Sequence, residues 1–199
     1  MRIERVLSFI ETLGPGRRLC IWTNGCPRHC PGCVSKRLQK VNKNKDVEIE
    51  EFFKTYDIGV YDGVTISGGD PFMDSTELLH LLTYLKEHGA KDILVYTGYT
   101  YEEIMKDQKM KACLALIDVL IDGPYIDALN DNKDPLRGST NQNILYFNKE
   151  MKEKYEKYQQ SHRRQMEEYR YESYLVGVGI PTREYIEEFK GVDYGGRKI

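Results

Sequence analysis

The feature that most constrains this chain is the run Thr23-Asn24-Gly25-Cys26-Pro27-Arg28-His29-Cys30-Pro31-Gly32-Cys33. Three of the five cysteines lie in it, spaced C-x3-C-x2-C. Gly25, Pro27, Pro31 and Gly32 make it a loop and not a core strand. Thiolates are soft ligands, and several in one short loop point to a metal or an iron–sulfur cluster. A four-iron cluster ordinarily takes four cysteines. A loop supplying only three leaves one iron open to a substrate or cofactor, which points to chemistry and not to electron storage. A structural zinc is the rival use; with no second C-x2-C in the chain, its fourth ligand would come from Cys20 or His29. A disulfide framework does not suit an odd cysteine count, a chain of 199 residues or the lack of a secretory signal.

Composition narrows the classes further. A net charge of −2 gives no electrostatic case for nucleic acid or an anionic membrane, and 40% hydrophobic residues can bury a real core. No apolar run is long enough to span a membrane. Met1-Arg2-Ile3-Glu4-Arg5 carries charges of both signs and lacks a signal-peptide core. The expected compartment is the cytoplasm, where thiolates stay reduced.

Strands are expected over residues 5–9 and Arg18–Thr23, the second delivering the chain into the cysteine loop. A helix starts within 34–39. Lys36, Arg37, Lys40, Lys43 and Lys45 then read as a solvated basic face, with partner docking as the alternative. Asp46 caps a helix over 47–56. The second strong signal is a strand over 62–67, then Gly68-Gly69-Asp70-Pro71, then a helix over 75–88 with Leu78, Leu79, Leu81, Leu82 and Leu85 on its buried side. Glycines at such a turn let backbone approach a ligand, and an ionised Asp70 suits an ammonium group. Strands over 92–97 and 118–122 end in Thr97-Gly98-Tyr99 and Asp122-Gly123-Pro124, with short helical stretches at 101–105 and 110–116 between them. The βαβαβ alternation predicts a parallel sheet. The amide-rich segment Arg137-Gly138-Ser139-Thr140-Asn141-Gln142 precedes a strand over 144–146 and suits an adenine edge or a ribose, unless it is a surface turn. Beyond it lie a charged, helix-prone run over 149–172, a strand or ligand-hugging loop over 175–180, and a last helix capped by Thr182 and ended by Gly191.

The cysteine spacing resembles the signature of the radical S-adenosylmethionine (SAM) enzymes. More narrowly, the chain resembles the activating enzymes of anaerobic (class III) ribonucleotide reductases. The likeness rests on Gly14-Pro15-Gly16, the cysteine loop, G-G-D-P, T-G-Y, D-G-P-Y and R-G-S-T-N-Q, in that order. It spans about three-quarters of the chain. Two departures are Val34, where these activators often carry an aromatic, and the segment after residue 147. The resemblance implies an α/β fold, a partial, open (β/α) barrel over 1–147, with a helical C-terminal extension over 148–199. It implies a four-iron cluster on Cys26, Cys30 and Cys33, and SAM as the second cofactor. Gly68, Gly69 and Asp70 would hold the methionine end, Gly32, Cys33 and Val34 would border the adenine, and Thr97, Asp122 and Asn141 are further pocket candidates. The implied substrate is a glycine of an anaerobic ribonucleotide reductase large subunit or a related glycyl radical enzyme, with flavodoxin or ferredoxin as electron donor. The alternatives are a radical SAM enzyme acting on another peptide or a small molecule, and a non-catalytic zinc-binding adaptor. The extension is expected to be a structural or homodimerising appendage, dispensable for cluster and SAM binding.

Overall fold

The structure is a computed structural model that describes residues 1–171 and 174–188. In chain order the elements are β1 (Ile3–Ile10), β2 (Arg18–Thr23), α1 (Ile49–Phe53), β3 (Gly63–Gly68), α2 (Ser75–Glu87), β4 (Ile93–Tyr96), α3 (Tyr101–Lys106), α4 (Gln108–Cys113), β5 (Val119–Asp122), β6 (Asn143–Tyr146), α5 (Lys149–Ser161), β7 (Met166–Tyr171), β8 (Tyr174–Gly179) and α6 (Arg183–Glu188). The first six strands form one sheet in sequence order. Strands β2 to β5 run parallel, while β1 and β6 pair antiparallel at the two edges. The edges do not meet, so the fold is mixed α/β with an open sheet. Strands β7 and β8 form a separate antiparallel hairpin.

Side chains alternate between the two faces of a strand, and here the two faces are covered by different parts of the chain. Leu19, Ile21, Val64, Ile66, Ile93, Val95 and Leu120 share a core with Ile49 and Phe53 of α1, Leu78, Leu81 and Leu82 of α2, and Cys113 of α4. On the opposite face, Leu94, Val119 and Ile121 pack against Tyr155 and Tyr158 of α5. Nearer β1, Ile10, Leu13 and Cys20 pack against Val176 and Val178 of β8. Burying a valine of this kind stabilises by about 1.5–3 kcal/mol. The boundary at 147/148 therefore coincides with the N-cap Asn148, yet side chains on both sides of it share buried cores. The extension thus packs against the sheet face that carries Leu94, Val119 and Ile121, and β8 against Ile10, Leu13 and Cys20.

Polar contacts hold the extension as firmly. Arg18 at the start of β2 is fully buried. Its guanidinium donates to Thr65 Oγ1 (2.6 Å), Pro15 O (3.1 Å), Val64 O (2.9 Å) and Asp92 Oδ2 (2.9 Å). From α5, Tyr155 Oη donates to Asp92 Oδ1 and Lys154 Nζ to Asp92 Oδ2, both at 2.8 Å. Beyond α5, Arg164 donates to Asp134 O, Asn130 Oδ1, Pro181 O and Arg137 O.

Most element boundaries expected from the sequence shift by a residue or two. Three expectations are corrected. Asp46 bridges to Arg2 instead of capping a helix, and α1 starts at Ile49 after Glu48. The stretch after Cys33 makes only a short 3-10 turn at Lys36–Gln39. The charged run past residue 148 does not stay helical, because 166–171 form β7. There Tyr169 follows Met166 by three positions, off the period-two alternation of a strand, so pairing with β8 and not a sequence pattern sets the conformation. Thr182 does cap α6, its hydroxyl accepting from Tyr185 N at 3.2 Å. The Gly191 stop lies outside the described residues. Among the described residues no helix is long and apolar enough to cross a membrane.

Candidate functional site

The site is built where β2 and β3 leave the sheet side by side, with Thr23 level with Gly68. Gly69 N donates to Thr23 O and Asp70 N to Gly25 O, both at 2.8 Å. The two loops thus run edge to edge, and the glycines permit it. A Cβ on Gly69 would lie 2.2 Å from Gly25 O, and Gly68 adopts φ +110° with the backbone of Thr23 2.5 Å from its Cβ position. The cysteine loop is tied on its other side by Gly25 N to Leu38 O (2.7 Å) and Cys26 N to Gln39 O (3.1 Å).

Cys26, Cys30 and Cys33 are free, half-buried thiols on the wall of one cavity of about 250 Å³. Burial pushes the Cys26 thiol up; the backbone N–H groups of Arg28 and His29 oppose this, and Asp70 adds to it. Burial likewise raises Cys33, against the Ser35 N–H and the charge of Lys36. Backbone N–H groups aimed at sulfur, a cation nearby and soft donors together suit a thiolate-bound iron cluster. Among the described residues no three His, Cys, Asp or Glu side chains converge on a point suited to a single ion.

Asp70 is 3% exposed, and its carboxylate is already engaged. Oδ1 accepts from Phe72 N (3.1 Å) and Thr97 Oγ1 (2.8 Å), and Oδ2 from Gly98 N (2.9 Å). Burial raises its pKa, and these three donors only partly offset that. Asp70 therefore binds the end of β3 to the end of β4, and one side of Oδ2 is what it has left for a ligand.

Eight of the residues singled out from sequence line the cavity: Cys26, Cys30, Cys33, Val34, Gly68, Gly69, Asp70 and Thr97. Gly32, Asp122 and Asn141 stand outside that lining. Gly32 takes φ +79° and packs against Asp127. Asp122 is buried and latches the chain, accepting from Tyr101 N (2.7 Å), Asn143 N (3.0 Å) and Asn143 Nδ2 (2.9 Å). Asn141 Nδ2 donates to Pro124 O at 2.8 Å. Its neighbour Gln142 lines the cavity and braces the motif instead, accepting from Gly138 N and Ser139 N and donating to Gly123 O.

The strand or ligand-hugging loop expected over 175–180 is β8, and it lines the cavity; sequence reasoning missed Arg28, Tyr96 and Met166 of β7, which line it too. Arg28 pairs with Glu103 and stacks over Tyr99 at 4.2 Å. Tyr96 was findable, because strand parity puts it on the same face as Leu94. The hairpin left no motif beyond Val176-Gly177-Val178-Gly179.

A family model described as "4Fe-4S single cluster domain" matches residues 12–145. The anaerobic ribonucleoside-triphosphate reductase-activating protein of Escherichia coli K12 is 34% identical over 142 residues, covering 67% of this chain and 91% of that protein. The protein of the same name from Enterobacteria phage T4 is 30% identical over 155 residues, covering 72% and 93%. The structure of QueE from Escherichia coli is matched at 20% identity over 49% of this chain and 52% of that one, with a TM-score of 0.41, too loose a likeness to carry an argument.

Proposed function

This chain belongs to the family of the anaerobic ribonucleoside-triphosphate reductase-activating proteins, within the radical SAM superfamily, and from that premise we propose that it activates a glycyl radical enzyme. The observation that carries the reading is the single cavity wall shared by Cys26, Cys30, Cys33, Gly68, Gly69 and Asp70. Cys26, Cys30 and Cys33 hold a four-iron cluster with one iron left for SAM. When bound, the cluster supplies one electron to SAM, whose cleavage to methionine and a 5′-deoxyadenosyl radical allows a hydrogen atom to be taken from a glycine Cα. The chain's own part is placement. Gly68 and Gly69 bring bare backbone to the methionine end, and the free side of Asp70 Oδ2 accepts from its ammonium. Thr97 orients Asp70 through its hydroxyl. Val34 borders the adenine side.

The open sheet is in this reading a partial (β/α) barrel, with its site at the C-terminal ends of parallel strands as in such folds generally. The partner is an anaerobic ribonucleotide reductase large subunit or a close relative. The electron comes from outside, from a flavodoxin or ferredoxin. The test is anaerobic reconstitution with iron and sulfide. The expected protein is brown, holds about four irons per chain, forms 5′-deoxyadenosine from SAM under a chemical reductant, and raises a glycyl radical signal by electron paramagnetic resonance on the partner. A fully loaded protein that leaves SAM intact defeats the proposal.

A further inference from the structure

The stretch that carries the cysteine loop holds no Asp or Glu between Glu11 and Asp46, in a chain with 31 acidic residues and a net charge of −2. Its cations gather in and after the loop: Arg28, Lys36, Arg37, Lys40, Lys43 and Lys45. Nearby carboxylates neutralise some of them. Glu103 pairs with Arg28, and Glu4 pairs with Arg37 (2.9 Å) and Lys45 (3.4 Å). Asp46 and Asp74 face Arg2 instead, at 3.8 and 3.9 Å. Lys36, Lys40 and Lys43 are left exposed, with no ion pair among the described residues.

These lysines lie outside the cavity. Gly25 N donates to Leu38 O, Cys26 N to Gln39 O and Asn42 N to Asn24 Oδ1 (2.7 Å), so residues 38–42 run alongside 24–26. Val34, Ser35, Arg37 and Leu38 line the cavity, whereas Lys36, Lys40, Val41 and Lys43 do not. Val41 and Met73 are 40% and 37% exposed. Both rest on Gly25, where a Cβ would meet Met73 Sδ at 2.9 Å and Val41 Cγ2 at 3.1 Å. A small apolar centre, flanked along the chain by Lys40 and Lys43, thus covers the residue before Cys26. Its backbone is one hydrogen bond from that thiol's own residue.

We propose that the segment 36–45, with Val41 and Met73 at its centre, is the docking surface of the electron donor, and that this donor is an acidic one-electron carrier protein of the flavodoxin kind. This rests on the function proposed above and adds where the electron enters. One electron leaves the donor's reduced flavin, which is oxidised by one electron, and enters the cluster, which is reduced by one; no bond breaks. SAM and the substrate glycine need the cavity, so the donor is left the outer side of the cysteine loop. A substrate protein has to reach into the cavity, which these lysines do not line. Charge complementarity speeds encounter more than it tightens a complex, and redox interfaces are small. Both suit a carrier that must leave after each transfer.

The test uses reconstituted, SAM-loaded holoenzyme with reduced flavodoxin as the probe and photoreduced deazariboflavin as an uncharged reductant. The readouts are the rate of cluster reduction by stopped-flow absorbance, 5′-deoxyadenosine formed, and flavodoxin affinity by calorimetric titration. Lys36 is kept, because its charge acts on the Cys33 thiol. The double variant Lys40→Glu/Lys43→Glu should slow reduction by flavodoxin about tenfold or more at low salt and weaken its binding. Lys40→Gln/Lys43→Gln should fall between that variant and the parent. The gap should close near about 1 M salt, where the screening length is about 3 Å. Iron content, SAM affinity and cleavage under deazariboflavin should stay within about twofold of the parent. Unchanged flavodoxin rate and affinity in the charge-reversed variant would overturn the proposal. So would an equal loss under both reductants, which would place the lysines in the cluster site or the fold. Variants that keep flavodoxin reduction but lose glycyl radical formation would give the surface to the substrate protein and overturn it too, as would a parent that cleaves SAM under deazariboflavin yet takes no electron from flavodoxin. Failure of the parent to cleave SAM under deazariboflavin is a separate outcome and counts against the proposed function.

Discussion

The two ends of the parallel strands use polar groups in opposite ways. At the lower end, where β2 and β4 begin, Arg18 and Asp92 are buried and fully partnered, with Tyr155 and Lys154 closing the set. At the upper end, where the same strands stop, the cysteines are free and Tyr96 Oη and Arg28 Nε have no partner among the described residues. The lower end is finished by the chain itself. The upper end is left incomplete, and a buried polar group without a partner is tolerated where a ligand supplies one. The extension serves both ends: α5 completes the lower one, and the hairpin walls the upper one.

If that division is right, removing the extension strikes the fold first and the site second. Truncation after Asn148 uncovers Leu94, Val119, Ile121 and Cys20 and leaves Asp92 without Tyr155 and Lys154. The expected result is no soluble protein with a cooperative thermal transition. A soluble truncation that takes up iron and binds SAM would break the comparison.

The next effect separates the ends cleanly. Replacing Cys26, Cys30 or Cys33 by alanine should abolish iron retention and SAM cleavage while leaving the circular dichroism melt nearly unchanged, since these thiols are only half buried. Cys20→Ala and Cys113→Ala should do the reverse: both side chains are buried in cores, so stability falls by roughly 1 kcal/mol or more while iron remains. Iron loss from Cys20→Ala equal to that from Cys30→Ala would place a fourth thiolate on the cluster.

At the lower end, Asp92→Ala leaves a buried guanidinium without its carboxylate. Breaking a buried pair in this way costs about 3–5 kcal/mol. Tyr155→Phe removes one hydrogen bond to a charged group and should cost about 1.5–3 kcal/mol. Urea midpoints measure both, and iron per folded chain should not change.

This contrast explains what could be read from the sequence. The upper end announces itself, because ligand chemistry demands particular residues close together: C-x3-C-x2-C, G-G-D and T-G-Y each lie within one loop. The lower end does not, because Arg18, Asp92 and Tyr155 meet across 74 and 63 positions and no local pattern links them. The strands showed by apolar runs, and α2 by its leucines. Strand β7 hid in a charged segment, since its pairing with β8 and not its own composition decides its conformation. Asp122 sits at a strand end, where latch and ligand use the same residue types, and its three hydrogen bonds to Tyr101 and Asn143 are not visible in the sequence; Asn141 donates to Pro124 O while its Oδ1 has no partner among the described residues.

The smallest effect is the sharpest check, because the two buried aspartates should respond to acid with opposite signs. Burial would raise the Asp92 pKa, but the charge and hydrogen bonds of Arg18 and Lys154 outweigh it and hold it below the ordinary 3.8. A carboxylate held low contributes stability at pH above its unfolded value, and that contribution is lost as the pH falls through the native value. Asp70 is held above 3.8 by burial. Its contribution is present below the unfolded value and is lost as the pH rises through the native one. On acidification Asp70 therefore takes up its proton first, at no cost to the fold, and Asp92 takes one last and weakens it. Urea midpoints between about pH 5 and about pH 2 should fall for the parent, fall less for Asp92→Asn, and fall more for Asp70→Asn, which lacks the opposing group. Asp70→Asn will also start from a lower stability, because its amide nitrogen would face the Gly98 N–H that Oδ2 now accepts. Parallel curves for the two variants would mean that the ends of the sheet do not differ electrostatically as described.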